Sequence, residues 1–135
     1  MKIEIKETKD VKQSDIIEIY RANNWSSADK PDKLYNALLN SHSFITAWDN
    51  EKLVGLGNAL SDNHLVVYYP HLIIHPSYQG KGIGKLIIDK LQEKYKDFHQ
   101  QILVADGRSI DFYKKCGFEM AGETKSMWIY QGHDH

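Results

Sequence analysis

The segment Gln79-Gly80-Lys81-Gly82-Ile83-Gly84 constrains this chain most, because it stands between an apolar run and a helical pattern. Upstream, residues 65–74 are largely apolar, as in a buried strand, with Pro70 interrupting them. Downstream, residues 85–95 carry Leu86, Ile87, Leu91 and Tyr95 at helical spacing. The glycines let the backbone turn tightly and approach a ligand with no Cβ in the way. The helix that follows offers unpaired N–H groups and the positive end of its dipole, a setting suited to an anionic phosphate. Lys81 and Lys85 add charge of the matching sign. The unit reads as a pyrophosphate cradle, and a ligand-free turn opening a helix is the plain alternative.

Two familiar phosphate loops do not fit. A P-loop needs Lys followed by Ser or Thr, whereas Lys85 is followed by Leu86. The dinucleotide fingerprint is Gly-x-Gly-x-x-Gly near the start of a domain; here the spacing is Gly-x-Gly-x-Gly, past the middle of the chain.

The remaining pattern predicts one domain over residues 1–135. Residues 2–6 alternate as a strand. Ser14 is the expected N-cap of a helix with Ile16, Ile17, Ile19 and Tyr20 on its apolar face, ended by Asn23 and Asn24. Pro31 opens a second helix reaching Asn40, with Leu34, Ala37 and Leu38 inward. Residues 43–48 and 52–60 form a hairpin, and Gly55 and Gly57 imply a bulge or a close backbone approach. A strand at 101–105, a short helix at 109–116 closed by Gly117, and strands at 118–121 and 125–130 complete the order. The result is an α/β fold of the mixed α+β kind, with a mostly antiparallel sheet of about seven strands flanked by about four helices.

Composition narrows the function. Hydrophobic residues make up 41% and charged residues 26%, and the net charge is −1, so a general nucleic-acid or anionic-membrane footprint is absent. The single cysteine, Cys116, allows neither an intrachain disulfide nor a cysteine zinc site, which suggests a cytoplasmic protein; Cys116 reads as packing. No apolar run approaches the roughly 20 residues that span a bilayer, and the start lacks a signal-peptide core. The end, Gly132-His133-Asp134-His135, reads as a frayed polar tail, with metal capture by its two histidines as the alternative.

The loop Gln79-Gly80-Lys81-Gly82-Ile83-Gly84 resembles the Gln/Arg-x-x-Gly-x-Gly/Ala signature of the GNAT acyltransferase superfamily. Its lead-in, Leu72-Ile73-Ile74-His75-Pro76-Ser77-Tyr78, is similar to the family's approach strand. A second segment, Asp111-Phe112-Tyr113-Lys114-Lys115-Cys116-Gly117-Phe118, resembles the family's Phe-Tyr-x-Lys-x-Gly-Phe stretch. The two lie in the family's order, and the likeness covers nearly the whole chain.

The resemblance implies an acetyl-CoA-dependent N-acetyltransferase, without a metal, acting on an amine of a small molecule or a protein. Residues Gln79, Gly80, Lys81, Gly82, Ile83, Gly84 and Lys85 would hold the CoA pyrophosphate. The backbone of Leu72, Ile73 and Ile74 would pair with pantetheine where the fourth and fifth strands splay. Tyr113 takes the family's acid position, and a phenol of ordinary pKa near 10 can donate to a thiolate. His71 stands where many relatives carry a carboxylate base and has a suitable pKa for that work. Trp25, Tyr35 and Tyr69 are candidates for the acceptor pocket, with Tyr68 and Asp62 as further wall candidates; His75 reads as structural. Dimers are common among relatives, and the C-terminal strands offer a contact. A CoA-binding module without chemistry, or a domain holding another phosphate ligand, are the competing functions.

Overall fold

Side chains of a strand point alternately to two faces, and here both faces are covered. Phe44, Leu53, Leu56 and Ile73 pack with Ile16, Ile19, Tyr20, Leu34 and Leu38 on one side. Ile45, Ala47, Val54 and Val67 pack with Ile83, Ile87, Ile88 and Leu91 on the other. Each large apolar side chain removed from water stabilises by about 1.5–3 kcal/mol, so these two layers supply most of the cohesion.

The computed structural model describes residues 1–134. Strand β1 is Ile3–Glu7, followed by helix α1 (Gln13–Ala22), a 3-10 turn (Ser26–Asp29) and α2 (Pro31–Leu39). Then come β2 (Ser43–Asp49), β3 (Lys52–Ser61), β4 (Val66–Tyr68) and β5 (Leu72–Ile74). A second 3-10 turn (Pro76–Tyr78) leads to α3 (Ile83–Lys94), β6 (Gln100–Ile102) and α4 (Ile110–Lys115). The described residues form a six-stranded sheet in the order β1-β2-β3-β4-β6, with β5 also paired to β3. Only β4 and β6 pair in parallel. The mixed, mostly antiparallel architecture agrees with the sequence pattern.

The difference in strand number lies at the C-terminal end. Residues 118–121 and 125–130 alternate like strands but join no ladder. Backbone hydrogen bonds beyond α4 are local, from Phe118 N–H to the Tyr113 carbonyl and from Thr124 N–H to the Ala121 carbonyl. Met127 and Ile129 are 93% and 96% exposed. Alternation marks a segment able to pair, but a ladder also needs a free partner edge in register. Nor is the tail frayed throughout. Ser26 Oγ and the Tyr130 hydroxyl both donate to Asp134 Oδ1 at 2.6 Å. His133 Nε2 lies 3.4 Å from Asp29 Oδ2. The metal reading of His133 with His135 extends outside the described residues.

Smaller corrections concern the helices. Lys12, not Ser14, occupies the N-cap of α1, and no side chain caps it. Ala37 and Leu86, assigned inward, are exposed, and Ile83 and Ile88 take the inner positions on α3 instead. The end at Asn23, the proline at the start of α2 and the left-handed Gly117 after α4 all fit the sequence reading.

Pro70 positions the site. Gly57 pairs with Leu72, and Leu60 pairs with Tyr68. Between these pairs β3 has two residues, Asn58 and Ala59, against three opposite, Tyr69, Pro70 and His71. One extra residue makes a bulge, where a proline without an N–H is tolerated. Buried Asn58 repairs the break: its N–H donates to the His71 carbonyl (3.1 Å), and its Oδ1 accepts from His71 N–H (3.0 Å). Pairing along β6 ends where Tyr69 N–H donates to the Ile102 carbonyl at 3.0 Å. Past the bulge, β5 pairs with β3 alone and its outer edge carries no strand among the described residues.

Candidate active site

A cleft of about 570 Å³ follows that free edge. Leu72, Ile73 and Ile74 line it, as do the glycine loop and the first turn of α3, with Phe112 and Tyr113 contributed by α4. Antiparallel pairing alternates which residues face a partner. The His71 carbonyl and His75 N–H both bond to β3, so Leu72 and Ile74 turn their backbone groups outward. The Ile74 carbonyl accepts from Asn23 Nδ2 and Gln79 Nε2, each at 3.0 Å.

The loop owes its shape to backbone conformation. Gly82 is the N-cap of α3 at φ +84°, where a side chain is strained, although a Cβ there would meet nothing within 4 Å. No side chain caps α3, leaving its first-turn N–H groups to the cleft. Gly80, Gly82, Ile83, Gly84 and Lys85 line the cleft as the sequence implies, but Lys81 does not. Gln79 also lines it, with its amide spent on anchoring: it donates to Asn23 Oδ1 (2.9 Å) as well as to Ile74. Lys85 donates to Asp89 at 2.6 Å, which holds its ammonium pKa up. Helix α3 reaches this position because β3 presents glycine to it. A Cβ at Gly57 would lie 2.8 Å from Ile87 Cγ2, so Gly57 marks a close approach. The hairpin's register shifts between Ala47 and Trp48, so the extra residue of the bulge is Val54, beside Gly55 on β3.

Tyr113 lines the cleft. Burial first, then nearby Cys116 and Asp106, push its phenol up to about 12, so it keeps its proton at neutral pH. His71 is not among the lining residues. Its Nδ1 sits 2.8 Å from the hydroxyl of buried Tyr20. Trp25 does line the cleft, and its ring packs edge-on against both Tyr20 (5.6 Å) and His71 (5.3 Å). His75 Nδ1 accepts from Ser77 N–H at 3.1 Å, a structural use.

Several acceptor-pocket candidates lie elsewhere. The Tyr35 hydroxyl donates to the Val11 carbonyl at 2.9 Å, and the ring packs on the core beneath α1 and α2. Tyr69 is buried between Tyr95 and Phe118 and donates to Gln101 Oε1 at 2.7 Å. Tyr68 does not line the cleft. Asp62 closes the turn after β3, accepting N–H bonds from His64, Leu65 and Val66, which lower its pKa to about 2. Cys116 is partly buried and packs against the core beside α3, and burial pushes its thiol up.

Conversely, Asn23, Tyr78, Arg108, Ser109 and Phe112 line the cleft without having been singled out. Phe112 precedes Tyr113 in the second motif, the one signal available in advance. Arg108 follows Asp106-Gly107 and carries a turn pattern. Among the described residues, no group of three or more His, Cys, Asp or Glu could hold a metal ion. No helix among the described residues is long and apolar enough to cross a membrane.

The profile of the Acetyltransferase (GNAT) family matches residues 13–118. The histone acetyltransferase TAP1 of Glycine max is 33% identical over 88 residues, covering 63% of this chain and 38% of that protein. The Arabidopsis thaliana GCN5-related N-acetyltransferase 2, chloroplastic, is 35% identical over 83 residues, covering 59% and 32% respectively. The chain thus spans about a third of the length of these curated relatives. Among solved structures, the GNAT family protein SP0256 from Streptococcus pneumoniae TIGR4 matches with TM-score 0.83 and 30% identity, over 96% of this chain and 99% of that one. AAC(6')-Iy, solved with the bisubstrate analog CoA-S-monomethyl-acetylneamine, shares the fold at TM-score 0.73 and 16% identity, over 97% and 98%. The mixed α/β fold is the GNAT fold, and the chain belongs to the acetyltransferase (GNAT) family. Acyl transfer is the general activity of that family.

Proposed function

We propose that this chain is an N-acetyltransferase that moves an acetyl group from acetyl-CoA to a primary amine of a small molecule or a protein. The observation that carries this reading is the continuity of the β5 free edge with the uncapped start of α3 in one cleft. The residues present suit CoA. The first-turn N–H groups of α3, with Lys85 and Arg108, match a pyrophosphate in charge, and the outward amides of Leu72 and Ile74 match an amide-bearing arm. CoA supplies the acetyl group as a thioester open to attack by a neutral amine. Tyr113, protonated at neutral pH, is assigned to donate to the departing thiolate. His71, at the end of β5 away from the glycine loop, is assigned to the acceptor's side. We infer a cytoplasmic setting from the single cysteine, while the relatives named chloroplastic work elsewhere in plants.

The test is release of free thiol from acetyl-CoA across a panel of amines, with Tyr113→Phe as control. Amine-dependent release falling about 10²–10⁴-fold in the variant supports the reading. CoA binding without release from any amine favours a silent CoA module, and absence of CoA binding overturns both.

A further inference from the structure

The Ile74 carbonyl lies on the outer edge of β5, where an extended ligand would pair, yet it is already taken. Asn23 Nδ2 and Gln79 Nε2 each donate to it at 3.0 Å. The same two amides meet each other, with Gln79 Nε2 donating to Asn23 Oδ1 at 2.9 Å. Asn23 Nδ2 gives its other hydrogen to the Ile19 carbonyl, also at 3.0 Å. An amide nitrogen has two hydrogens and a carbonyl oxygen two lone pairs. Both nitrogens and the Ile74 oxygen are therefore saturated. The amide orientations are fixed as well, because the Ile19 and Ile74 carbonyls can only accept.

Three parts of the chain that are separate in sequence meet at this joint. Asn23 is the C-cap of α1, an element held by Ile16, Ile19 and Tyr20, whose exposures are 1% or less. Ile74 ends β5. Gln79 opens the glycine loop, whose next residues, 80–82, are exposed; Gly80 and Gly82 have positive φ. A glycine-rich segment has many backbone states to lose on ordering. A side-chain tie at its first residue removes part of that freedom before a ligand arrives. Asn23 and Gln79 both line the cleft, where the β5 edge gives way to the loop.

The sequence assigns Gln79 to the pyrophosphate itself. Its amide nitrogen has no hydrogen left for a phosphate oxygen, and its amide oxygen, an acceptor, does not suit an anion. We propose that Gln79 and Asn23 are instead positioning residues for CoA, fixing the span between the β5 edge and the pyrophosphate cradle so that one ligand meets both. The role rests on the CoA reading of the cleft. Two half-sites held at the right separation bind a joined ligand more tightly than either half, and a loose joint forfeits that gain. Along β5 the ligand then finds both backbone groups of Leu72 and the N–H of Ile74, but not the Ile74 carbonyl.

The experiment compares dissociation constants of CoA, pantetheine and ADP for the unaltered chain and for Gln79→Ala, by NMR titration. Pantetheine carries the arm alone and ADP the pyrophosphate alone. Gln79 is exposed, so the variant should keep the unfolding midpoint of the parent. CoA should bind it at least about 5-fold more weakly, the loss expected of two hydrogen bonds, with pantetheine and ADP each within about 2-fold. Unchanged CoA affinity overturns the proposal, and so does a parallel fall in either fragment, which would mean direct contact. If neither fragment binds the unaltered chain measurably, Asn23→Ala and the double variant decide. On a logarithmic scale the double loss of CoA affinity should fall short of the sum of the single losses, because the amides share one joint; full additivity overturns it. No CoA binding by the unaltered chain overturns the transferase reading and this role together, whereas undiminished CoA binding by the variants overturns the role alone.

Discussion

Gly82 and Gly107 both stand in open space, yet they differ in backbone. Only Gly82 has a positive φ. Replacing Gly82 with alanine should destabilise the fold by about 1–2 kcal/mol and weaken CoA binding, because the α3 N-terminus shifts. Gly107→Ala should stay within about 0.5 kcal/mol. Denaturant midpoints and CoA titration of the two variants check this, and equal behaviour would remove the argument for the loop's conformation. At this scale the sequence is legible where the feature is a local backbone property, as in the positive φ of Gly80 and Gly82. Aromatic hydroxyls are harder to read. Tyr35 and Tyr69 have the chemistry of pocket residues, but their partners, Val11 and Gln101, lie far away in sequence, and only the folded chain brings them together.

The strand broken at Pro70 shows what one imposed irregularity does to an element. Asn58 takes over the interrupted ladder, meeting His71 twice and donating to Ser41 Oγ at 3.0 Å. Asn58→Ala should remove the side-chain acceptor of the His71 N–H and cost about 1–3 kcal/mol, read as a lower urea midpoint with an unchanged slope. A loss below about 0.5 kcal/mol would mean that water replaces the side chain. Gly57→Ala should also destabilise, by about 1–3 kcal/mol through overpacking against Ile87. The break at Pro70 could be read in advance because proline's missing N–H is a covalent fact. The absence of strands at 118–121 and 125–130 could not, since pairing depends on a distant edge.

Across the whole molecule, the order of strands and helices was readable because apolar periodicity repeats in every element and two motifs anchor its second half. Its buried phenols have a collective effect. Tyr20, Tyr69 and Tyr113 are all raised, chiefly by burial. Unfolded tyrosines release protons near pH 10, whereas the folded ones hold theirs, so above that pH the unfolded state binds fewer protons. Stability should be level through neutral pH and fall as pH rises above 10, with the Tyr113 share lost progressively up to about 12. Tyr113→Phe should flatten part of that fall in an alkaline unfolding series, and an unaltered slope would contradict the assignment. Asp62 acts at the acid end. With its folded pKa lowered to about 2, its contribution is present above the ordinary carboxylate value of 3.8 and disappears as pH drops through about 2.

An edge proposed to take one extended ligand is open to any extended chain. Unpaired strand edges template aggregation, and proteins blunt them by keeping them short. Strand β5 has three residues, bounded by the Pro70 bulge and by the turn at Pro76. Two prolines therefore limit how much backbone is offered to strangers. Variants that lengthen β5 at either end should become less soluble before they lose any grip on their ligand.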